Sequence, residues 1–180
     1  YIGYFQLINT VNKFIIYDDV NFIKKGWINR NNILLNGQKN MISIPLKKMT
    51  QNRLICDTKI NSENNWIRKF SKSIEYGYKK SIYYDDVILI INKVLNCKFK
   101  YIKDLNLLSI KLVMEYLNIE TEIIQTSSNY NNHNLSAQSR ILDICIKESA
   151  THYINPMGGI ELYDRKYFNN NGKSLSFLKT

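Results

Sequence analysis

No apolar run in these 180 residues can cross a bilayer, since the longest candidate, 87–91, falls far short of the about 20 residues required. No basic segment followed by an apolar one opens the sequence, so no secretory signal is read there. Cysteine is sparse and badly placed for chemistry. Cys56, Cys97 and Cys145 are odd in number, far apart and without a C-x-x-C pair, which argues against a zinc site and a disulfide framework. They read as buried free thiols of a reducing compartment, and the expected location is cytoplasmic. Only two prolines occur and no low-complexity linker interrupts the chain. There is no G-x-G-x-x-G or phosphate-loop signature and no nucleophile elbow. The two histidines, His133 and His152, lack metal-ligand spacing, so no metal is expected, and no cofactor is indicated.

What is present suits one domain spanning 1–180, with 44% apolar residues. The net charge of +10 raises polyanion binding as a reading. However, the composition is rich in Asn, Lys, Ile and Tyr, as an AT-rich genome produces, and no lysine run exceeds two. Nucleic acid is therefore not the expected partner.

The pattern along the chain predicts a short helix over 2–10 and a buried strand over 14–17. Asn36-Gly37, the strongest short hairpin signal, joins segments 32–35 and 39–46. Helices follow over 62–80, 87–95 and 105–117. The first carries Trp66, Phe70, Ile74 and Tyr78 at helical spacing, a core stripe. A strand over 122–125, a polar loop over 127–134, a helix over 136–148 and a strand over 152–154 come next. A helical stretch over 160–168 and a last strand over 175–178 close the order. Alternating strands and helices predict an α/β fold: a mostly parallel sheet with helices on both faces, a β-hairpin, and a helical insert over about 61–118.

In such folds ligands bind beyond the carboxyl ends of parallel strands. Two loops qualify. After the first strand come Asp18 and Asp19, able to orient or deprotonate a hydroxyl or amine. Lys24 and Arg30 can hold phosphate, Trp27 can stack on a ring, and Asn29 can hydrogen-bond. A plain solvated loop is the competing reading. After strand 152–154 comes Asn155-Pro156-Met157-Gly158-Gly159, where a glycine pair ahead of a helix lets an anion approach the backbone, or simply makes a tight turn. His152 is a further acid/base candidate, set against a structural histidine.

Several of these segments together resemble the WbqC-like family. Gly3-Tyr4-Phe5-Gln6-Leu7-Ile8 is similar to its opening. Tyr17-Asp18-Asp19-Val20-Asn21-Phe22 with Lys24-Lys25-Gly26-Trp27-Ile28-Asn29-Arg30-Asn31 resembles its most distinctive segment. Ser43-Ile44-Pro45-Leu46-Lys47-Lys48, Arg140-Ile141-Leu142-Asp143-Ile144-Cys145, Ala150-Thr151-His152-Tyr153-Ile154 and Gly158-Gly159 with Leu162-Tyr163-Asp164 complete the order. Two departures stand out. Asn155-Pro156-Met157-Gly158-Gly159 replaces an S-G-P-x-G type loop, and the family's opening strand with its Q-P-x-x-F-P segment is absent from a sequence that starts at Tyr1, already in helical pattern. The expectation is an N-terminal fragment that lacks a strand, central if the sheet is doubly wound, and with it part of the site. The resemblance implies a role in surface-polysaccharide (O-antigen) synthesis on a nucleotide-activated or lipid-linked amino sugar, with an acyl or aminoacyl donor. A non-catalytic binding protein for a nucleotide sugar or a glycosyltransferase is the alternative, and nucleic-acid binding a third.

Overall fold

The computed structural model describes residues 2–48, 52–63 and 65–179. Asn64, which belongs to the expected second helix, and Tyr1, which precedes the expected first, lie outside the described residues. The chain divides into two compact units, residues 1–17 with 118–180, and residues 18–117.

In the first unit, α1 (Ile2–Thr10) buries Phe5, Leu7 and Ile8 on one face. Its last carbonyls need partners. The Thr121 hydroxyl supplies one, donating to Ile8 C=O at 2.7 Å. Two residues later β1 (Lys13–Ile15) pairs in parallel with β4 (Glu122–Ile124). The apolar run 14–17 is only half-buried, with Tyr17 36% exposed, in contrast to the fully buried strand that its composition predicts. The reason is that β1 has a neighbouring strand on one side and an open cleft on the other.

The expected helix over 136–148 is α5 (Ala137–Lys147), and Ile141, Leu142, Ile144 and Cys145 all point inward. It delivers the chain to β5 (His152–Pro156), which pairs in parallel with β6 (Ser174–Leu178). Ser174 N–H bonds Thr151 C=O, so Thr151, Tyr153 and Asn155 face β6. Pro156 faces away, and the strand can include it because no ladder donor is required there.

The helical stretch expected over 160–168 is instead broken in two. A 3-10 helix (Met157–Leu162) ends at the extended pair Tyr163-Asp164. Asp164 then caps α6 (Arg165–Asn170), its carboxylate accepting Lys166 N–H at 2.8 Å. Phe168 of α6 is fully buried and stacks on Tyr153 at 5.6 Å, over a core of Ile141, Leu142, Cys145 and Leu175. The polar loop expected over 127–134 contains a 3-10 turn (Ser127–Tyr130) and buries Ser127, Tyr130 and Asn132. Burial is tolerable because the polar groups meet partners: Asn132 bonds Arg140 and Asp143, and Tyr130 bonds Glu148.

In the second unit, β2 (Arg30–Leu35) and β3 (Gln38–Ser43) form the expected antiparallel hairpin. Asn36 and Gly37 take φ of 52° and 74°, the left-handed values that a two-residue turn demands. α2 (Trp66–Tyr78), α3 (Tyr84–Leu95) and α4 (Ile102–Tyr116) follow. Within α2, Ile74 is buried while Trp66, Phe70 and Tyr78 are half-buried. The helix approaches the hairpin at Gly77, where an added Cβ would lie 2.7 Å from Leu35 Cδ2. The core of this unit joins Ile60, Val94, Ile102 and Leu105, with Ile28 and Ile44 packed against it.

The fold class is α/β, with two parallel strand pairs and one antiparallel hairpin among the described residues. No helix among these residues is long and apolar enough to cross a membrane.

Candidate functional site

The loop after β1 enters the second unit as a zipped segment. Cys56 N–H donates to Asp18 C=O at 2.8 Å, Ile55 N–H to Val20 C=O at 2.9 Å, and Phe22 N–H to Arg53 C=O at 2.8 Å. The zipper withdraws both Asp18 and Asp19 from solvent, to 1% and 3% exposure. They are not the solvated charges of a plain loop. A carboxylate buried this deeply must be compensated by its surroundings, and as a base it acts only on a group brought within hydrogen-bond reach.

Beyond the zipper the chain turns outward. Gly26 N–H closes a turn on Ile23 C=O at 3.1 Å, and Lys24, Lys25 and Trp27 are exposed around the half-buried Gly26. Arg30 stabilises the turn from below. Its Nε donates to Gly26 C=O at 2.8 Å, and its guanidinium sits 5.7 Å from the Trp27 ring centre. Asn29 is committed to the scaffold, since its Nδ2 donates to Ile44 C=O at 2.9 Å and its own carbonyl accepts Ile44 N–H. Asn106 of α4 secures the next carbonyl, that of Ile28. Lys24, Trp27 and the free side of Arg30 are thus the groups this loop offers to a ligand.

Of the three cysteines expected to be buried, only Cys145 is; Cys97 is exposed just past the end of α3, and Cys56, half-buried, stands here as a neighbour that sequence reasoning did not connect to the site. Its thiol is pushed up by burial first, then by the negative charge of Asp57, Asp18 and Asp19, against the opposing pull of Lys103. A neutral thiol is favoured beside buried carboxylates. Nothing in the spacing of Cys56 announces this neighbourhood, which depends on the backbone pairing of 18–22 with 53–56.

The remaining candidates belong to the first unit. His152 is exposed at the start of β5, and its Nε2 shares a hydrogen bond with Ser176 Oγ at 2.8 Å. Asn155 is half-buried and donates to the Tyr153 hydroxyl. Both line a cleft of about 700 Å³ bounded by β1, β5, α1 and α5. Gly158 and Gly159 lie outside this lining. They sit within the 3-10 helix rather than ahead of a longer one. Gly158 faces open space, whereas a Cβ on Gly159 would fall within 2.4 Å of Asn155 Oδ1. The second glycine is therefore explained by packing.

The cleft also holds groups that the sequence did not single out. Glu148 accepts from Lys13 Nζ and from the Tyr130 hydroxyl, the latter at 2.6 Å. Those two bonds hold its carboxyl below the usual range, and burial together with Glu148 pushes the Tyr130 hydroxyl up. Burial likewise raises Tyr153, with Tyr163 alongside, and lifts the Cys145 thiol to about 11. Among the described residues no group of three or more His, Cys, Asp or Glu is arranged to hold a metal.

Six of the ten candidates, Asp18 to Arg30, thus stand in the second unit and four, His152 to Gly159, in the first. Comparison with known proteins supplies the family. The WbqC-like protein family matches residues 1–180, the whole chain. The chain belongs to the WbqC-like protein family. Within curated proteins it is similar to the uncharacterized protein Rv1507c of Mycobacterium tuberculosis (strain ATCC 25618 / H37Rv), 25% identical over 170 residues, which cover 92% of this chain and 71% of that protein. No solved structure matches it. The Asp18-Asp19 and Lys24 to Arg30 segment, the most distinctive part of the resemblance, has its backbone tied down at both ends.

Proposed function

We propose that this chain is a cytoplasmic enzyme of bacterial surface-polysaccharide (O-antigen, lipopolysaccharide) biosynthesis, modifying a nucleotide-activated or lipid-linked amino sugar by acyl or aminoacyl transfer. Membership of a family linked to polysaccharide biosynthesis supports the pathway. The observation that carries the reading is a hydrogen-bonded loop whose root buries two carboxylates and whose tip presents Lys24, Trp27 and Arg30. In this reading the cations neutralise a sugar diphosphate, Trp27 stacks on a ring, and Asp18 or Asp19 orients or deprotonates the acceptor amine or hydroxyl. His152 and Asn155, facing their own cleft, are secondary acid/base and binding candidates. Gly158, with open space around it, is the member of the glycine pair able to admit an anion.

A second reading is favoured by one observation. Asp18 and Asp19 are almost fully buried, as suits a non-catalytic module that binds a nucleotide sugar or a glycosyltransferase and uses the pair to shape its loop.

The test is glycan modification in cells carrying Asp19→Asn or Arg30→Ala. Loss of a charge-assisted bond of about 1.5–3 kcal/mol lowers transfer by roughly 10- to 100-fold for Arg30→Ala. The transferase reading predicts loss for both variants with folding intact. Unchanged modification in both sinks it. Retained sugar binding with no turnover by the native chain selects the binding module.

A further inference from the structure

We propose that the second unit docks on an anionic bilayer surface, with Ile23 and Trp27 entering the interfacial layer and Lys24, Lys25 and Arg30 facing the lipid phosphates. Charge is the first ground. Residues 20–56 contain seven Lys or Arg and no Asp or Glu, so most of the +10 net charge arises in one fifth of the chain. The acidic groups just before this segment, Asp18 and Asp19, are buried and show almost no surface to a partner. Because no lysine run exceeds two, this asymmetry is invisible as a motif.

The second ground is what stands among the cations. Ile23 is 68% exposed and Trp27 63%. Their exposure is built in. The turn that carries them is tied by Gly26 to Ile23, by Arg30 to Gly26 and by Phe22 to Arg53, while the neighbouring Ile28 turns into the core. Arg30 extends the surface onto the hairpin. Its cross-strand partner is Ser43, and the pairs Asn32–Met41 and Leu34–Lys39 point to the same face. That face leaves Leu34 and Met41 more than half exposed, while Ile33 on the opposite face is buried. Trp at the headgroup level, aliphatic side chains below it and Lys or Arg around them is the chemistry of an interfacial protein. A polyanion such as RNA would use the cations and Trp27 but gives no role to Ile23, Leu34 or Met41. A lipid surface uses all of them. Resting on the transferase reading above, this surface selects the lipid-linked sugar over the free nucleotide sugar as the molecule the loop meets, with Trp27 then serving the bilayer interface in place of the sugar ring.

The experiment is co-sedimentation of the chain with vesicles of phosphatidylcholine alone or mixed with phosphatidylglycerol, without any sugar present. Binding is expected only to the mixed vesicles, weakened by salt, with a blue shift of Trp27 emission over the constant background of half-buried Trp66. The double variant Ile23→Ser with Trp27→Ser should reduce partitioning by about tenfold or more without changing the melting temperature, because both side chains are exposed. Lys24→Gln with Lys25→Gln should do the same through charge. Absence of binding to mixed vesicles, equal binding to both vesicle types, or binding indifferent to Ile23→Ser with Trp27→Ser overturns the proposal. So does preferential, salt-sensitive capture of duplex RNA that survives the same double variant. Since the readout needs no turnover, its failure is separate from failure of the transferase reading, which the Asp19→Asn variant addresses.

Discussion

Alanine at Gly158 and alanine at Gly159 should behave oppositely, although the two glycines are neighbours in one 3-10 helix. Neither has a positive φ, so neither substitution carries backbone strain. At Gly158 a Cβ meets nothing within 4 Å. The substitution then restricts the unfolded chain only, and stability should rise by about 0.4–1 kcal/mol. At Gly159 the Cβ would stand 2.4 Å from Asn155 Oδ1, 3.0 Å from Asn155 Cγ and 3.3 Å from Tyr163 Cε2. Asn155 must rotate away, and its bond to the Tyr153 hydroxyl goes with it. Overpacking and a lost half-buried hydrogen bond cost about 1–3 kcal/mol, against a similar small gain in the unfolded chain, so a net loss of about 1–2 kcal/mol is expected. At about 2–4 °C per kcal/mol for a chain of this size, Gly159→Ala melts about 2–8 °C lower. Thermal denaturation followed by circular dichroism reads both. Adding Asn155→Ala to Gly159→Ala removes the obstructing atoms and should restore much of the loss, a coupling that a double-mutant cycle isolates. Equal melting temperatures for the two single variants, or no coupling to Asn155, would refute the packing argument. If Gly158→Ala keeps its stability yet weakens binding of a phosphorylated sugar, the anion-approach role falls to Gly158.

Acid stability supplies a second prediction. The Glu148 carboxyl lies below its ordinary value because Lys13 and Tyr130 bond its ionised form. The stabilisation is therefore complete above the unfolded value of about 4.3 and is lost as pH falls through the lower folded value. Glu148→Gln should melt about 2–4 °C below the native chain near neutrality, with the gap closing under about pH 4; a gap that stays constant with pH contradicts the assignment. Asp143, held low chiefly by Lys147, keeps some acid sensitivity in the variant. A third prediction concerns the open strand edges. Ile16 faces β4 and Thr151 faces β6 through their hydrogen bonds, so Ile15 and Ile154 turn their amides the other way, where no strand among the described residues pairs with them. Their amide hydrogens should exchange faster than those of Phe14 and Tyr153. Equal protection at Ile15 and Phe14, or at Ile154 and Tyr153, would contradict this one-sided pairing.

Much of the architecture was legible because its causes are local. Asn36-Gly37 marked the hairpin by backbone conformation alone, and α5 showed its inward face through Ile141, Leu142, Ile144 and Cys145. The break at Tyr163-Asp164 was not legible, since the apolar spacing of 160–168 continues across it while the Asp164 cap interrupts the helix. Nor was the burial of the 127–134 loop, whose polar composition reads as surface until Asn132, Arg140, Asp143, Tyr130 and Glu148 are seen to satisfy one another.

For function the division is similar. The sequence alone carried the family, because residue types such as Asp18-Asp19 and Lys24 to Asn31 are kept in order along the chain, and order is what a sequence records. It also carried the fold class, through hydrophobic periodicity. Only tertiary structure decided what those residues are to a ligand: that Asp18 and Asp19 are buried while Ile23 and Trp27 are exposed, that Asn29 is spent on the backbone of Ile44, and that Gly159 is held by Asn155. Burial and partnership depend on segments such as 53–56 and Ile44 closing on the loop from a distance in sequence, and no local pattern encodes that approach.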